Sequence, residues 1–229
     1  MATLLLRLAG PLQSWGCESK FEVRRTMNFP TKSGVIGMIA AAMGYSREDS
    51  LDELNKLKFG VRIDHEGKLI RDYQIALDKK FKNPYVTNRY YLSDAIFLVG
   101  LESNNEDFLN NIENALKNPA FPLFLGRRSC PPTMPLVLGL RNSTLINSLK
   151  NEKWLMEEWR QKRIYDESEC KLRIIIESND NDGDLIHDAP VSFNPVYRKF
   201  SWRSINDCEY IDKSSDIKPT EHDAMSELR

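Results

Sequence analysis

"FPTKSGVIGMIAAAMGY", residues 29–45, decides how the rest of the chain is read. Val35, Ile36, Ile39 and Met43 recur at helical spacing, Thr31 or Ser33 is placed to cap the first turn, and Gly44 supplies a stop. Gly34, Gly37 and the three alanines at 40–42 keep one side of this helix slim, which predicts close packing on a sheet. The segment before it is less ordinary. Thr3–Ala9 is apolar and strand-like, yet it exits through Gly10, Pro11, Gln13, Trp15 and Gly16, a turn that carries an indole and an amide where a short polar loop would serve.

Downstream, "REDSLDELNKL" reads as a short helix with acidic residues in its first turn, as the helix dipole prefers. "KFGVRID" and "LIRDYQIAL" flank the turn signal "HEG" and read as a hairpin. "DKKFKNPYVTNRYYLSD" is polar, basic and aromatic without clear periodicity. It is followed by the strand candidate "AIFLVGL" and by the amphipathic helix "NEDFLNNIENALKN", with Phe108, Leu109, Ile112 and Leu116 on one side. A late strand lies near "MPLVLGL". The order strand, helix, strand, strand, helix, strand predicts an α+β chain whose residues 1–141 form a ferredoxin-like βαββαβ domain. After Arg141 the texture changes. "NEKWLMEEWRQKRIY" reads as helix, "KLRIIIES" as a strand, "NDNDGDLIHD" as a solvated loop, and "VYRKFSWRSI" and "CEYID" as short strands, so residues 142–229 are expected to form a smaller C-terminal region.

Composition narrows the function classes. The chain has 229 residues, 41% of them hydrophobic, which is enough for a packed core. Lys+Arg 32 against Asp+Glu 33 gives a net charge of -1, so the overall balance makes no case for a nucleic-acid partner. The distribution is uneven: residues 1–141 hold 19 basic and 15 acidic side chains (+4), and residues 142–229 hold 13 and 18 (-5). Cys17, Cys130, Cys170 and Cys208 lie far apart with no CxxC pair, which fits reduced thiols and no metal site. The longest apolar run, Val35–Met43, falls well short of the roughly 20 residues that cross a bilayer, so a cytoplasmic location without membrane contact is expected. "NDNDGD" lacks the closing glutamate of a calcium loop, and no GxSxG, HExxH or GxxxxGK[ST] occurs. His65, His187 and His222 are scattered, so no acid and base pair for RNA cleavage is visible and no cofactor is expected.

Three stretches carry chemistry suited to nucleic acid. Lys32 and Ser33 open the helix, where free amides favour an anion; simple capping with a solvated Lys32 is the alternative. Trp15 offers a ring on which a base can stack, or else a lid for the core. In "GRRSCPP", Arg127 and Arg128 hang on a stiff turn and can meet phosphates bidentately, or pair with Asp72 or Asp94. In the third stretch Lys79, Lys80, Lys82 and Arg89 are interleaved with Phe81, Tyr85, Tyr90 and Tyr91, so cations can track a backbone while rings accept bases; an unliganded surface hairpin is the alternative.

"LRLAGPLQSWG", "FPTKSGVIGMIAAAMGY", "RDYQ", "YLSDAIFLVGL" and "PLFLGRRSCPPTMPLVLG" resemble, in order and spacing, the CasD subunit family of type I-E CRISPR Cascade complexes. The resemblance runs from about residue 3 to residue 140 and continues more weakly through "YRKFSWR" and "EHDAM". It implies a ferredoxin-like domain of the repeat-associated RNA-binding superfamily, with residues 78–91 as a thumb and "GRRS" as the loop near the RNA. It further implies a non-catalytic subunit that binds the 5′ handle of the CRISPR RNA, caps the backbone filament of CasC subunits, contacts the large subunit CasA and meets target DNA within the complex. On that reading Gln13 addresses a base edge beside Trp15, Lys32 and Ser33 hold one phosphate, and Arg127 and Arg128 grip another. Arg24 and Arg25 contact either RNA or the adjacent subunit, and Lys80, Arg89 and Tyr90 serve on the thumb. Type I-C relatives that cut precursor RNA use a tyrosine, lysine and histidine set. The resemblance therefore keeps a metal-independent endoribonuclease as the rival.

Overall fold

A computed structural model of the chain describes residues 1–16, 22–77, 84–167, 171–178 and 183–213. Strand β1 (Ala2–Ala9) is apolar on both faces because it runs through the middle of a sheet with helices above and below. It is followed by the two-residue strands β2 (Leu12–Gln13) and β3 (Val23–Arg24), then by helices α1 (Lys32–Ala42) and α2 (Asp52–Asn55). Strands β4 (Lys58–His65), β5 (Lys68–Ala76), β6 (Tyr85–Ser93) and β7 (Ile96–Ser103) lead to α3 (Glu106–Lys117), β8 (Val137–Arg141), α4 (Leu145–Asn151) and α5 (Glu158–Glu167). The chain ends its described part with β9 (Lys171–Ser178), β10 (Asp184–Ser192) and β11 (Lys199–Asp212).

Seven strands form one antiparallel sheet in the order β10-β11-β9-β4-β7-β1-β8. Its β4-β7-β1-β8 part, with α1 and α3 as crossovers, has the ferredoxin-like order expected from the sequence. Leu4, Leu6 and Leu8 point into a core shared with α1 and α3, while Leu5 joins Leu98, Leu145, Leu149 and Ile174 under α4 on the other face. That second layer is tight: a Cβ on Gly100 would lie 2.5 Å from Leu145 Cδ1. The C-terminal strands join the same sheet through the β9–β4 pair, so the change of texture after Arg141 marks no break in it.

Several local expectations are corrected. The segments around "HEG" do not pair with each other: Gly67, at φ 72°, turns the chain, β4 stays in the large sheet, and β5 leaves it to pair with β6. Of the residues 78–91 that the resemblance implies as a thumb, 84 and the part of β6 from Tyr85 to Tyr91 are described, and they belong to a β5–β6 ribbon whose other arm begins at Lys68; residues 78–83 lie outside the described residues. The two short strands expected near the end are one strand, β11, with a register shift between Asn206 and Glu209. The helix expected at 151–165 forms only from Glu158 on, as α5, with Asn151 closing α4 and no helix at 152–157, and the one expected at 47–57 shrinks to α2. Among the described residues no helix is long and apolar enough to cross a membrane.

The turn after β1 explains its own composition. Trp15 is 0% exposed, and its indole lies on α1 where Gly34 leaves room: a Cβ there would lie 2.8 Å from Trp15 Cε3. The indole Nε1 donates to Gln13 Oε1 at 3.1 Å, and Gln13 Nε2 donates to the carbonyls of Ala95 (2.7 Å) and Leu8 (3.2 Å). Gln13 and Trp15 are therefore internal, and the expectation that they meet a base is corrected. A buried amide and indole must find partners, and here each satisfies the other.

Lys32 is corrected for a similar reason. Its Nζ reaches Glu177 on β9 at 2.8 Å with 5% of the lysine side chain exposed, and the α1 amide that an anion would use, Lys32 N, donates to Asp188 Oδ2 at 2.8 Å. Asp188 also takes the Arg203 fork at 2.5 and 3.0 Å, and Arg203 stacks over Phe59 at 5.1 Å. The helix start does bind anions, but they are carboxylates of the C-terminal strands, which these contacts tie to α1.

Two outcomes follow in urea unfolding. Trp15→Ala, which empties a buried aromatic site, should lower stability by about 3–5 kcal/mol, whereas Trp159→Ala at the surface should change it by less than about 0.5 kcal/mol. Arg203→Met leaves Asp188 without its main cation and should lower stability by about 3–5 kcal/mol at unchanged slope.

Candidate nucleic-acid interface

Strand β6 organises the remaining cations. Beside β5 it carries β2 on one stretch (Leu12↔Ser93, Gln13↔Leu92) and the parallel strand β3 on another (Val23↔Asn88, Arg24↔Arg89), with Asn88 N donating to Glu22 O at 2.8 Å. The "GRRS" loop docks on the same strand through the β1 exit turn. Ser14 N donates to Leu125 O at 3.1 Å, and Ser14 Oγ donates to Tyr90 O at 3.0 Å. Gly126 adopts φ 83° with its Cα pressed on the Ser14 carbonyl, so only glycine fits there. Cys130 N donates back to Arg127 O at 2.9 Å and closes the turn. Burial pushes the Cys130 thiol above its ordinary range, which makes it a packing residue rather than a nucleophile.

Arg127 lies with its guanidinium 4.7 Å above the Tyr91 ring and donates from Nη2 to Arg24 O at 2.9 Å. It therefore fastens the β3 segment to β6. Its Nη1 is buried without a hydrogen-bond partner, and so is Nε of Arg89, which shares a face of β6 with Tyr91 two residues on. Two orphaned guanidinium donors on one strand face form an anion-seeking arrangement. Arg128 is exposed and makes no ion pair among the described residues. The pairings with Asp72 or Asp94 are absent: Asp72 accepts from Gln74 Nε2 at 2.7 Å and Asp94 from Ser93 Oγ at 3.0 Å.

Of the residues singled out in the sequence, Arg24, Arg89, Tyr90, Arg127 and Arg128 gather at the edge of β6, with the exposed Arg25 next in the chain. Gln13, Trp15 and Lys32 are internal, Ser33 is half-buried with its Oγ 3.5 Å from Thr31 Oγ1, and Lys80 lies outside the described residues. The ribbon adds what the sequence reading missed. Leu69, Ile70, Tyr73 and Ile75 on β5 are all exposed, Tyr73 by 56%, and so is Leu77 just past its end. Apolar exposure of this extent is unusual for a surface left to solvent. The interrupted apolar alternation of "LIRDYQIAL" was its only signal.

The family model for CRISPR-associated protein (Cas_Cas5) matches residues 3–206. The CRISPR system Cascade subunit CasD of Escherichia coli (strain K12) is 37% identical over 156 residues, which is 59% of this chain and 70% of that protein. A solved chain titled "CRISPR RNA-guided surveillance complex" superposes with a TM-score of 0.77 at 31% identity, covering 99% of this chain and 97% of its own. Another, titled "Crystal structure of Cas protein", superposes with a TM-score of 0.71 at 35% identity, covering 96% of this chain and 100% of its own. With most of its length inside the family model and nearly all of it superposing on these solved chains, the chain belongs to the CRISPR-associated Cas5 protein family.

Proposed function

We propose that the chain is the Cascade subunit that holds the 5′ handle of the CRISPR RNA, using the β6 edge and the 126–130 loop. The observation that carries this reading is the pair of buried, unpartnered guanidinium nitrogens, Arg89 Nε and Arg127 Nη1, beside the Tyr91 ring and the exposed Arg128. An unpaired strand has no shape of its own, so a protein that binds it must fix phosphates with cations and accept unstacked bases on rings. Arg128, Arg24 and Arg25 supply exposed charge, Arg89 and Arg127 supply directional donors, and the half-buried Tyr90 and exposed Tyr85 supply ring faces. The apolar thumb arms are surfaces for neighbouring protein subunits, with a CasC backbone subunit on the thumb and the large subunit CasA alongside; target DNA is met within that cytoplasmic complex.

The chain acts in this reading without cutting RNA. Among the described histidines, His65 ends β4 with Nδ1 2.8 Å from Asp94 O, and His187 lies on β10, three strand positions away. No acid and base pair is formed by them.

Two measurements test this. In the co-expressed complex, Arg127→Ala combined with Arg128→Ala should weaken handle binding and flatten the dependence of log K on log salt by about 0.7 per lost phosphate contact; an unchanged slope contradicts RNA contact there. Purified chain incubated with repeat RNA should leave it intact, and a specific product that disappears in His65→Ala would establish the endoribonuclease instead.

A further inference from the structure

The basic and aromatic segment "YRKFSWR", residues 197–203, takes no part in the β6 site. It opens β11, which stands four strand positions from β1 in the sheet, about 19 Å away at 4.8 Å per step. A register shift between Ile186 and Ala189 places both His187 and Asp188 opposite Trp202. The bulge aims the two in different directions. Asp188 turns inward to Arg203, and His187 turns to the Trp202 ring, with centroids 4.9 Å apart and planes 35° apart. His187 Nε2 donates to Phe200 O at 3.2 Å, which fixes the imidazole, and the Phe200 ring meets it edge-on at 6.3 Å. Arg198 lies 5.1 Å over Phe200.

The result is a small outward platform on which Trp202 remains 61% exposed although its imidazole neighbour is held in place. Leu185, on the same face of β10 as His187, is exposed as well. Its residues Leu185, His187, Phe200 and Trp202 include no carboxylate, and Arg198 over Phe200 supplies its cation. Arg198 makes no ion pair among the described residues. A nucleobase with its phosphate needs both parts: a flat face to stack on and a positive charge beside it.

We infer that Trp202 and His187, with Arg198, form a second nucleic-acid contact that stacks one base of an unpaired strand, on a surface separate from the β6 edge. The base comes from unpaired RNA or from unpaired DNA, and both offer the same chemistry.

The test uses the full chain in a Trp159→Phe background, in which Trp15 and Trp154 are buried and Trp202 is the exposed tryptophan. Oligouridine and oligothymidine, each without secondary structure, are titrated separately. Stacking quenches the Trp202 fluorescence, Trp202→Ala weakens binding by about tenfold, and Trp202→Phe restores most of it. Tighter oligouridine assigns the platform to RNA, and tighter oligothymidine assigns it to DNA. If neither oligonucleotide quenches Trp202 and Trp202→Ala leaves both affinities unchanged, the inference fails; a Trp202 cross-link to protein alone in the assembled complex would also overturn it. Quenching that persists in Arg127→Ala/Arg128→Ala separates this platform from the handle site, so either can fail without the other.

Discussion

The packing of the Trp15 indole on Gly34 is the contact on which the rest of the site depends. It fixes the turn that follows β1, and the Gln13 amide locks that turn to the end of β1 and the start of β7 through the Leu8 and Ala95 carbonyls. Once the turn is fixed, Ser14 has a defined backbone and hydroxyl. The 126–130 loop then docks on the former and β6 on the latter. The proposed binding edge is thus built on a rigid element: Arg24 and Arg89 stand on strands and Arg127 and Arg128 on a docked loop, so charged forks held in this way need little reorganisation to meet a phosphate.

A second constraint holds the two halves of the sheet together. The α1 start, positive by its dipole, meets Asp188, while Lys32 meets Glu177 and Arg203 closes the set. Charges this buried demand complete pairing, because one missing partner leaves a desolvated ion. The modest negative balance of residues 142–229 is partly explained by this: some of its carboxylates are directed inward to the N-terminal domain.

Much of the fold was legible because it rests on local patterns. Thr31 as cap, Gly44 as stop, the slim face of α1 and the amphipathic α3 follow from spacing, and the order of elements gave the ferredoxin-like core. The division of β4 from β5 was not legible, since a turn at Gly67 looks the same whether the strands pair with each other or leave for different sheets. The site was legible in composition and misassigned in geometry. Lys32, Gln13 and Trp15 have residue types that suit RNA equally well as buried capping and hydrogen bonding, and their partners Glu177, Asp188 and Ala95 are too distant in sequence to suggest the second use. Arg127 and Arg128, adjacent and alike in sequence, differ in structure: one is a clasp on Tyr91 and Arg24, the other an exposed charge.

Photo-cross-linking of repeat RNA to the full chain, with cross-linked peptides mapped by mass spectrometry, addresses the central claim most directly. Cross-links should fall in the peptides containing Arg24 and Arg25, Arg89 to Tyr91, and Arg127 to Cys130, with none at Trp15 or Lys32. Cross-links concentrated at Trp15 and Lys32, with the β6 edge and the 126–130 loop unmarked, would contradict the account.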